Sequence, residues 1–467
     1  MKHLLFFAGI FFTLNCCAQP AYFQNNFGGP GTSNNGGSVA QSPSGSIFFA
    51  GNFINTISGD HGFELYKMEG GGTIIWRYQV GLGDFYANRI IYTSQNQLLI
   101  NGQLTDSTGN TDAFAMLLDT NGNVIFTGSY GYPNTTEMFM GLAETNDNGF
   151  IFSGYTTNPS GPGNANYVVR TDSNGIIIWQ QTYSYAVNSV SDDILQTPEG
   201  DFLFSGDKKT AGANYNAQVV KIDATGNIIW QTDLVFQYNS GCKNVIINAS
   251  GNYVVIGEAA TATSSYFDPF ITKLDTGGNI LWSHTVPCSN GPDAGYDIIE
   301  PAANNYLITG FSLNNTTGNT DLFVMRLDSS GDEVSRRYYG GPNYDQGYNI
   351  INSTFNNGFL AAGFSILIPQ SKFLLVYDDY LGITTAVNEP QNQKTISYPC
   401  PADKFLKFEN QLKSGKAVIY DVMGKIVYSH TFNSSSKTIN TSDFKNGIYF
   451  LVMDASNIKN QKFIVQH

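Results

Sequence analysis

From about residue 30 to residue 380 the chain is written in short apolar runs, each followed by a polar turn. Residues 297–335 show the pattern. Asp297-Ile298-Ile299-Glu300 reads as a first strand and Tyr306-Leu307-Ile308-Thr309-Gly310-Phe311 as a second, nearly all apolar. A polar loop (314–320) leads to a third strand at 321–327, and Asp328-Ser329-Ser330-Gly331 turns the chain into a fourth. No stretch in this region carries the 3.6-residue apolar period of a helix. Strands apolar on both faces need a layer packed on each side.

The same unit recurs. A glycine stands in matching settings at Gly51, Gly102, Gly154, Gly206, Gly257, Gly310 and Gly363, with spacings of 51–53 residues. Seven units of about fifty residues with four strand signals each predict an all-β, seven-bladed β-propeller of four-stranded antiparallel blades. A turn of the form Asp-x-x-Gly closes most units, and all four tryptophans (Trp76, Trp179, Trp230, Trp282) sit in the strand behind it. The Gly supplies positive φ and the Asp side chain caps the turn's own N–H groups. The first-to-second and third-to-fourth turns are short and stereotyped. The other two connections vary between units and lie on the opposite face, where binding residues are expected. Blade 7 lacks a clear fourth strand. Residues 22–29 resemble the outer-strand segment 337–341, so the N-terminal strand is expected to close the ring.

The ends differ from the body. Lys2 followed by an apolar run at 4–14 reads as a signal peptide over residues 1–18, too short to span a bilayer, with a lipoprotein reading around Cys16 or Cys17 as the alternative. The propeller is placed at 19–387, a polar linker at 388–397 and a small Ig-like β-sandwich at 398–467. Residues 1–390 hold 14 Lys/Arg against 32 Asp/Glu, whereas 391–467 hold 10 against 5. The acidic body argues against nucleic acid as a partner. No later stretch is apolar enough for a transmembrane helix.

The tail carries Tyr398-Pro399-Cys400-Pro401, Ile419-Tyr420-Asp421 with Gly424-Lys425, Asn446-Gly447-Ile448-Tyr449-Phe450 and Lys462-Phe463. In this order these resemble the C-terminal sorting domain of the type IX (Por) secretion system, type A. Tyr398, Pro399, Pro401, Gly424, Gly447, Tyr449 and Lys462 are its matching positions, while Cys400 stands where that family usually has Asn. The resemblance implies the type IX machinery as partner, crossing of the outer membrane, and release or surface attachment. An ordinary Ig-like adhesion module is the alternative.

Candidate chemistry is sparse. The Asp-x-x-Gly-x-x-x-Trp unit resembles the tryptophan-docking motif of quinoprotein-type propellers, with one residue fewer between Asp and Gly. Its recurrence points to a packing role, and no cofactor is expected. The five His form no ligand-spaced pair, no metal site is expected, and no catalytic residues are assigned. Ser38, Arg89, Asp193, Asn244, Asp297 and Asn349 occupy equivalent places, with Gly141, where the first strand of each unit is expected to begin. They are expected to ring the channel mouth on the variable face, either as a solvated rim or as a site for a small polar ligand. Cys242 and Cys288 flank unit 5 on that face, which allows a disulfide if the loop folds back. The expected function is an exported binding or scaffold module for a glycan, protein or surface polymer. A polysaccharide lyase or hydrolase is the alternative.

Overall fold

In the computed structural model the described residues are 22–380 apart from 30, 81–84, 158–162, 185–186, 211, 213, 261–265, 290, 315–317, 356–357 and 368–369. In the tail they are 405–407, 414–421, 425–433, 438–454 and 461–465. Residues 1–385 and 386–467 form two separate compact units. Among the described residues there is no helix, and none that is long and apolar enough to cross a membrane.

The first unit is seven four-stranded antiparallel sheets. Six are built from consecutive strands, named A to D from the channel outward. In blade 4 these are Asn188–Gln196, Phe202–Lys209, Tyr215–Ile222 and Ile228–Leu234. Blade 7 takes strands A to C from Asp345–Asn352, Gly358–Leu367 and Gln370–Asp379, and its outer strand is Phe23–Phe27. Phe23 pairs with Tyr377 and Phe27 with Phe373. The Phe27 ring also reaches Phe49 and Tyr66 of blade 1, each at 4.9 Å, so one short strand ties the last blade to the first. Phe27→Ala removes that wedge from a half-buried site. It is expected to cost about 2 kcal/mol in urea unfolding, below the range for a fully buried Phe.

Burial of both faces of strands B and C explains their apolar runs. Between blades 1 and 2, Phe48, Phe63 and Leu65 meet Leu98, Ile100 and Phe114, and comparable layers fill the other gaps. Each such side chain contributes roughly 1.5–3 kcal/mol. The turn motif has the packing role expected of it. The Asp223 carboxylate accepts from the N–H groups of Thr225 (2.8 Å) and Asn227 (2.9 Å), and Gly226 takes φ +91°. Trp179 and Trp230 reach across to the next blade's turn, where their Nε1–H groups donate to the carbonyls of Ala224 (3.0 Å) and Thr276 (3.2 Å).

The repeated glycine has a different cause. Strand A carries a bulge in every blade, as between Ser191 and Asp193 or between Gly295 and Asp297. The bulge pushes a strand A carbonyl against strand B. A Cβ at Gly154, Gly310 or Gly363 would lie 1.8 Å from the carbonyl oxygen of Met138, Ala294 or Gln346. Only glycine fits there.

The second unit is also all β. It has a four-stranded antiparallel sheet, ordered Ile426–Asn433, Ser414–Asp421, Gly447–Asp454, Gln461–Val465, and a two-stranded sheet of Phe405–Lys407 and Thr438–Asn440. Gly447 and Tyr449 open its third strand, where Gly447 pairs with Val465, and Lys462 pairs with Phe450. The Tyr449 hydroxyl donates to the Lys445 carbonyl at 2.8 Å. Tyr398, Pro399, Cys400, Pro401 and Gly424 lie outside the described residues, as does the signal segment 1–18.

Candidate functional site

The polar residues aligned on strand A do not open onto the channel mouth. Strand A begins several residues earlier than the apolar pattern indicates, at Asn188 in blade 4 and Ala294 in blade 6. Ser38, Asp193, Asn244, Asp297 and Asn349 therefore sit mid-strand, just behind the bulge, and all five are buried. They form a belt across the channel. The Asn349 amide donates to Asp297 (2.6 Å), and Asn349 accepts from the Val39 N–H (2.8 Å) and the Ser38 hydroxyl (3.3 Å). Asp297 accepts from the Ile350 N–H (2.8 Å), Asp193 from Val245 (3.2 Å) and the Ser38 hydroxyl from Ile90 (3.2 Å). In each of these a side chain of one blade holds the backbone of the next. Arg89 spans the centre, paired with Asp193 on one side and with Asp297, at 3.4 Å, on the other. Gly141 completes the ring because a Cβ there would lie 2.6 Å from the Asp193 Cα.

This belt divides the channel. On the face of the short turns lies a cavity of about 380 Å³ lined by Ile90, Val245, Ile298 and Ile350. On the face of the variable loops lies a larger one of about 580 Å³. Its wall comes from the residues one step before the belt, which the bulge turns inward: Gly37, Asn88, Met140, Asp192, Lys243, Tyr296 and Tyr348. Asn52, Gln103 and Phe364 join them, each directly after a repeat glycine. Sequence alignment on the glycine marks both sets, but strict two-residue alternation assigns the inward direction to their neighbours.

The wall is uneven. On the side of blades 6 and 7, Tyr296 stacks on Tyr348 (5.1 Å, 18°), and Tyr348 on Phe364 (6.0 Å, 16°). Blade 2 supplies Tyr86 and amides, and blade 3 supplies Met138 and Met140. Blades 4 and 5 supply charge. The Lys243 ammonium lies 3.6 Å from both Asp192 and Glu258. Burial pushes the Asp192 carboxyl up to about 6 and that of nearby Asp207 up to about 7, the latter helped by the Asp192 charge. In the belt, burial lifts Asp297 to about 6 against the opposing pull of Arg89. Exposed turn carboxylates such as Asp119 and Asp275 shift the other way, held down by the side-chain and backbone N–H groups they accept.

These shifts set a pH profile. The buried carboxylates hold protons more tightly folded than unfolded. The stability they lend is full below about pH 4 and is lost as pH climbs through 6 to 7. The turn carboxylates act oppositely, losing their contribution as pH falls below about 4. Stability read from urea unfolding is thus expected to peak near pH 4 and to fall by on the order of 2 kcal/mol by pH 8. A midpoint that rises steadily to pH 8 would contradict the burial of these acids.

Cys242 and Cys288 do not form the disulfide that their positions allowed; both are free thiols. Cys242 is buried between blades 4 and 5, whereas Cys288 packs between blades 5 and 6 with its thiol directed at the Val286 carbonyl, 3.3 Å away. No group of three or more His, Cys, Asp or Glu placed to hold a metal ion occurs among the described residues.

Two family matches bear on the chain. Residues 86–287, within blades 2 to 5, match the arylsulfotransferase (ASST) family, and residues 397–466 match the secretion system C-terminal sorting domain. No curated protein matches the chain. Among solved structures, Sqt1 of Chaetomium thermophilum is 14% identical, with 72% of this chain and 82% of that one covered at a TM-score of 0.44. A protein of unknown function from Dyadobacter fermentans is 11% identical over 75% and 95% at 0.43. A puromycin hydrolase variant is 10% identical over 74% of this chain and 52% of its own length at 0.48. The chain is a seven-bladed β-propeller that carries a C-terminal sorting domain for type IX export to the cell surface or beyond it.

Proposed function

We propose that the protein is a carbohydrate-binding module, exported with residues 1–18 as its signal peptide, and that the 580 Å³ cavity on the loop face is its binding site. One observation carries this reading: a three-ring aromatic stack shares a cavity wall with amides and a Lys–carboxylate cluster. A sugar ring has apolar C–H faces and a polar rim of hydroxyls. Aromatic surface suits the first, and amide, ammonium and carboxylate groups suit the second. The cavity lies within the usual range for small-ligand sites. Of the belt residues, Arg89 lines this cavity and reaches the second one as well.

The test is titration of the purified protein against an oligosaccharide panel, with product analysis. Saturable binding without turnover is expected, and Tyr348→Ala is expected to weaken it about tenfold through loss of stacking. Failure to bind any carbohydrate would overturn the reading.

The arylsulfotransferase match supports a second reading, transfer of a sulfuryl group. The cavity's chemistry favours the first. A sulfate ester needs cations, whereas Lys243 and Arg89 are each paired with two carboxylates. His284, the one histidine in residues 86–287, lies exposed on the outer strand Ile280–Thr285. Release of 4-nitrophenol from 4-nitrophenyl sulfate with a phenolic acceptor present would reverse this preference.

A further inference from the structure

Beside the charged side of the cavity, between blades 4 and 5, lies a groove of about 320 Å³ lined by Asp207, Glu258, Gly241, Tyr215 and Phe267, and Glu258 in it stands 3.6 Å from Lys243 in the cavity wall. Gly241 opens it: a Cβ there would stand 3.2 Å from the Asp207 carboxylate. The equivalent position is Ala294 in blade 6 and Gln346 in blade 7. We propose that this groove is a subsite for a primary ammonium group, so that the carbohydrate bound in the adjoining cavity is an amino sugar with a free amine; this rests on the carbohydrate reading above.

Asp192 of the cavity and Asp207 and Glu258 of the groove stand around the Lys243 ammonium, which pairs with Asp192 and Glu258. The Asp192 side chain is only 9% exposed, and its Oδ2 is buried without a hydrogen-bond partner. Oδ1 of Asp207 is in the same condition. A buried carboxylate oxygen left unpartnered is costly, and a donor entering from the groove removes that cost. An ammonium supplies both the missing N–H donors and the missing positive charge, whereas a neutral hydroxyl supplies only the first. A sulfate or carboxylate on the ligand would be repelled.

Neighbouring groups leave this balance unchanged. Burial pushes the Cys242 thiol and the Tyr296 phenol up, so both stay neutral. Lys208 is paired with Asp233 at 2.8 Å. Lys209 lies over the Tyr215 ring, 4.9 Å from its centre. The proton that Asp192 and Asp207 retain near neutrality is what an incoming cation displaces.

The test is calorimetric titration of the full-length protein at pH 6.5 and low salt with tetramers of glucosamine, N-acetylglucosamine and glucose. The glucosamine tetramer is expected to bind at least tenfold tighter than the other two. Asp207→Asn and Glu258→Gln, checked for native unfolding midpoints, are expected to cut that preference to threefold or less. Equal affinities for the three tetramers would overturn the amine subsite and leave the carbohydrate reading standing. Preference retained in both variants would place the amine elsewhere and also overturn it. No binding of any tetramer would overturn the amine subsite, and the oligosaccharide panel then decides the carbohydrate reading.

Discussion

Replacing Arg89 with methionine will destabilise the propeller by about 3–5 kcal/mol at pH 8, read from urea unfolding. The guanidinium is the one positive charge between Asp193 and Asp297, two carboxylates that are each only 5% exposed. Removing it leaves both charges buried and unpaired. They can escape by taking up protons, and Asp297 already titrates near 6. The loss should therefore shrink on going to pH 5, where protonation replaces the missing cation. Double replacement with Asp297→Asn should recover part of the stability at pH 8. If Arg89→Met unfolds at the wild-type midpoint at both pH values, the belt is not a structural clasp.

Removing residues 398–467 will keep the propeller inside the cell envelope, with its fold intact. The sorting match covers 397–466, and the tail is a compact unit separate from residues 1–385. Loss of the tail thus removes the address without removing any blade contact within the first unit. The readout is a fractionation blot for the propeller in medium and outer-membrane fractions. Continued appearance of the truncated protein outside the cell would contradict the sorting assignment.

How much of this is legible in the sequence depends on the scale. The seven-fold repeat is plain because six blades repeat a glycine that a neighbouring carbonyl makes obligatory, with the Phe373 ring acting likewise on Gly51 in blade 1, and six blades repeat a turn that needs positive φ. Closure by the N-terminal strand is legible too, because Phe23–Phe27 must fill the same inter-blade gap as the other outer strands. The site is displaced by one residue. Asp193 and Asn349 look like channel-facing polar groups, but the bulge before them rotates the strand. Asp192 and Tyr348 then face the loop-side cavity, while Asp193 and Asn349 bind the next blade. Bulges leave no fixed composition mark, so alternation read along strand A fails there. The Tyr296–Tyr348–Phe364 stack joins residues from two blades and three strands, which one repeat read alone does not show. The Cys242–Cys288 pairing fails for a related reason. Flanking the same blade in sequence places the two thiols on its opposite faces.

The loop-face cavity is tested most directly by a crystal structure of the protein soaked with its tightest-binding oligosaccharide. Sugar density is expected in the 580 Å³ cavity, with a ring face against the Tyr348–Phe364 side and polar contacts to Asp192 or Lys243. Sugar bound only on the outer rim of the blades, with this cavity empty, would contradict the assignment.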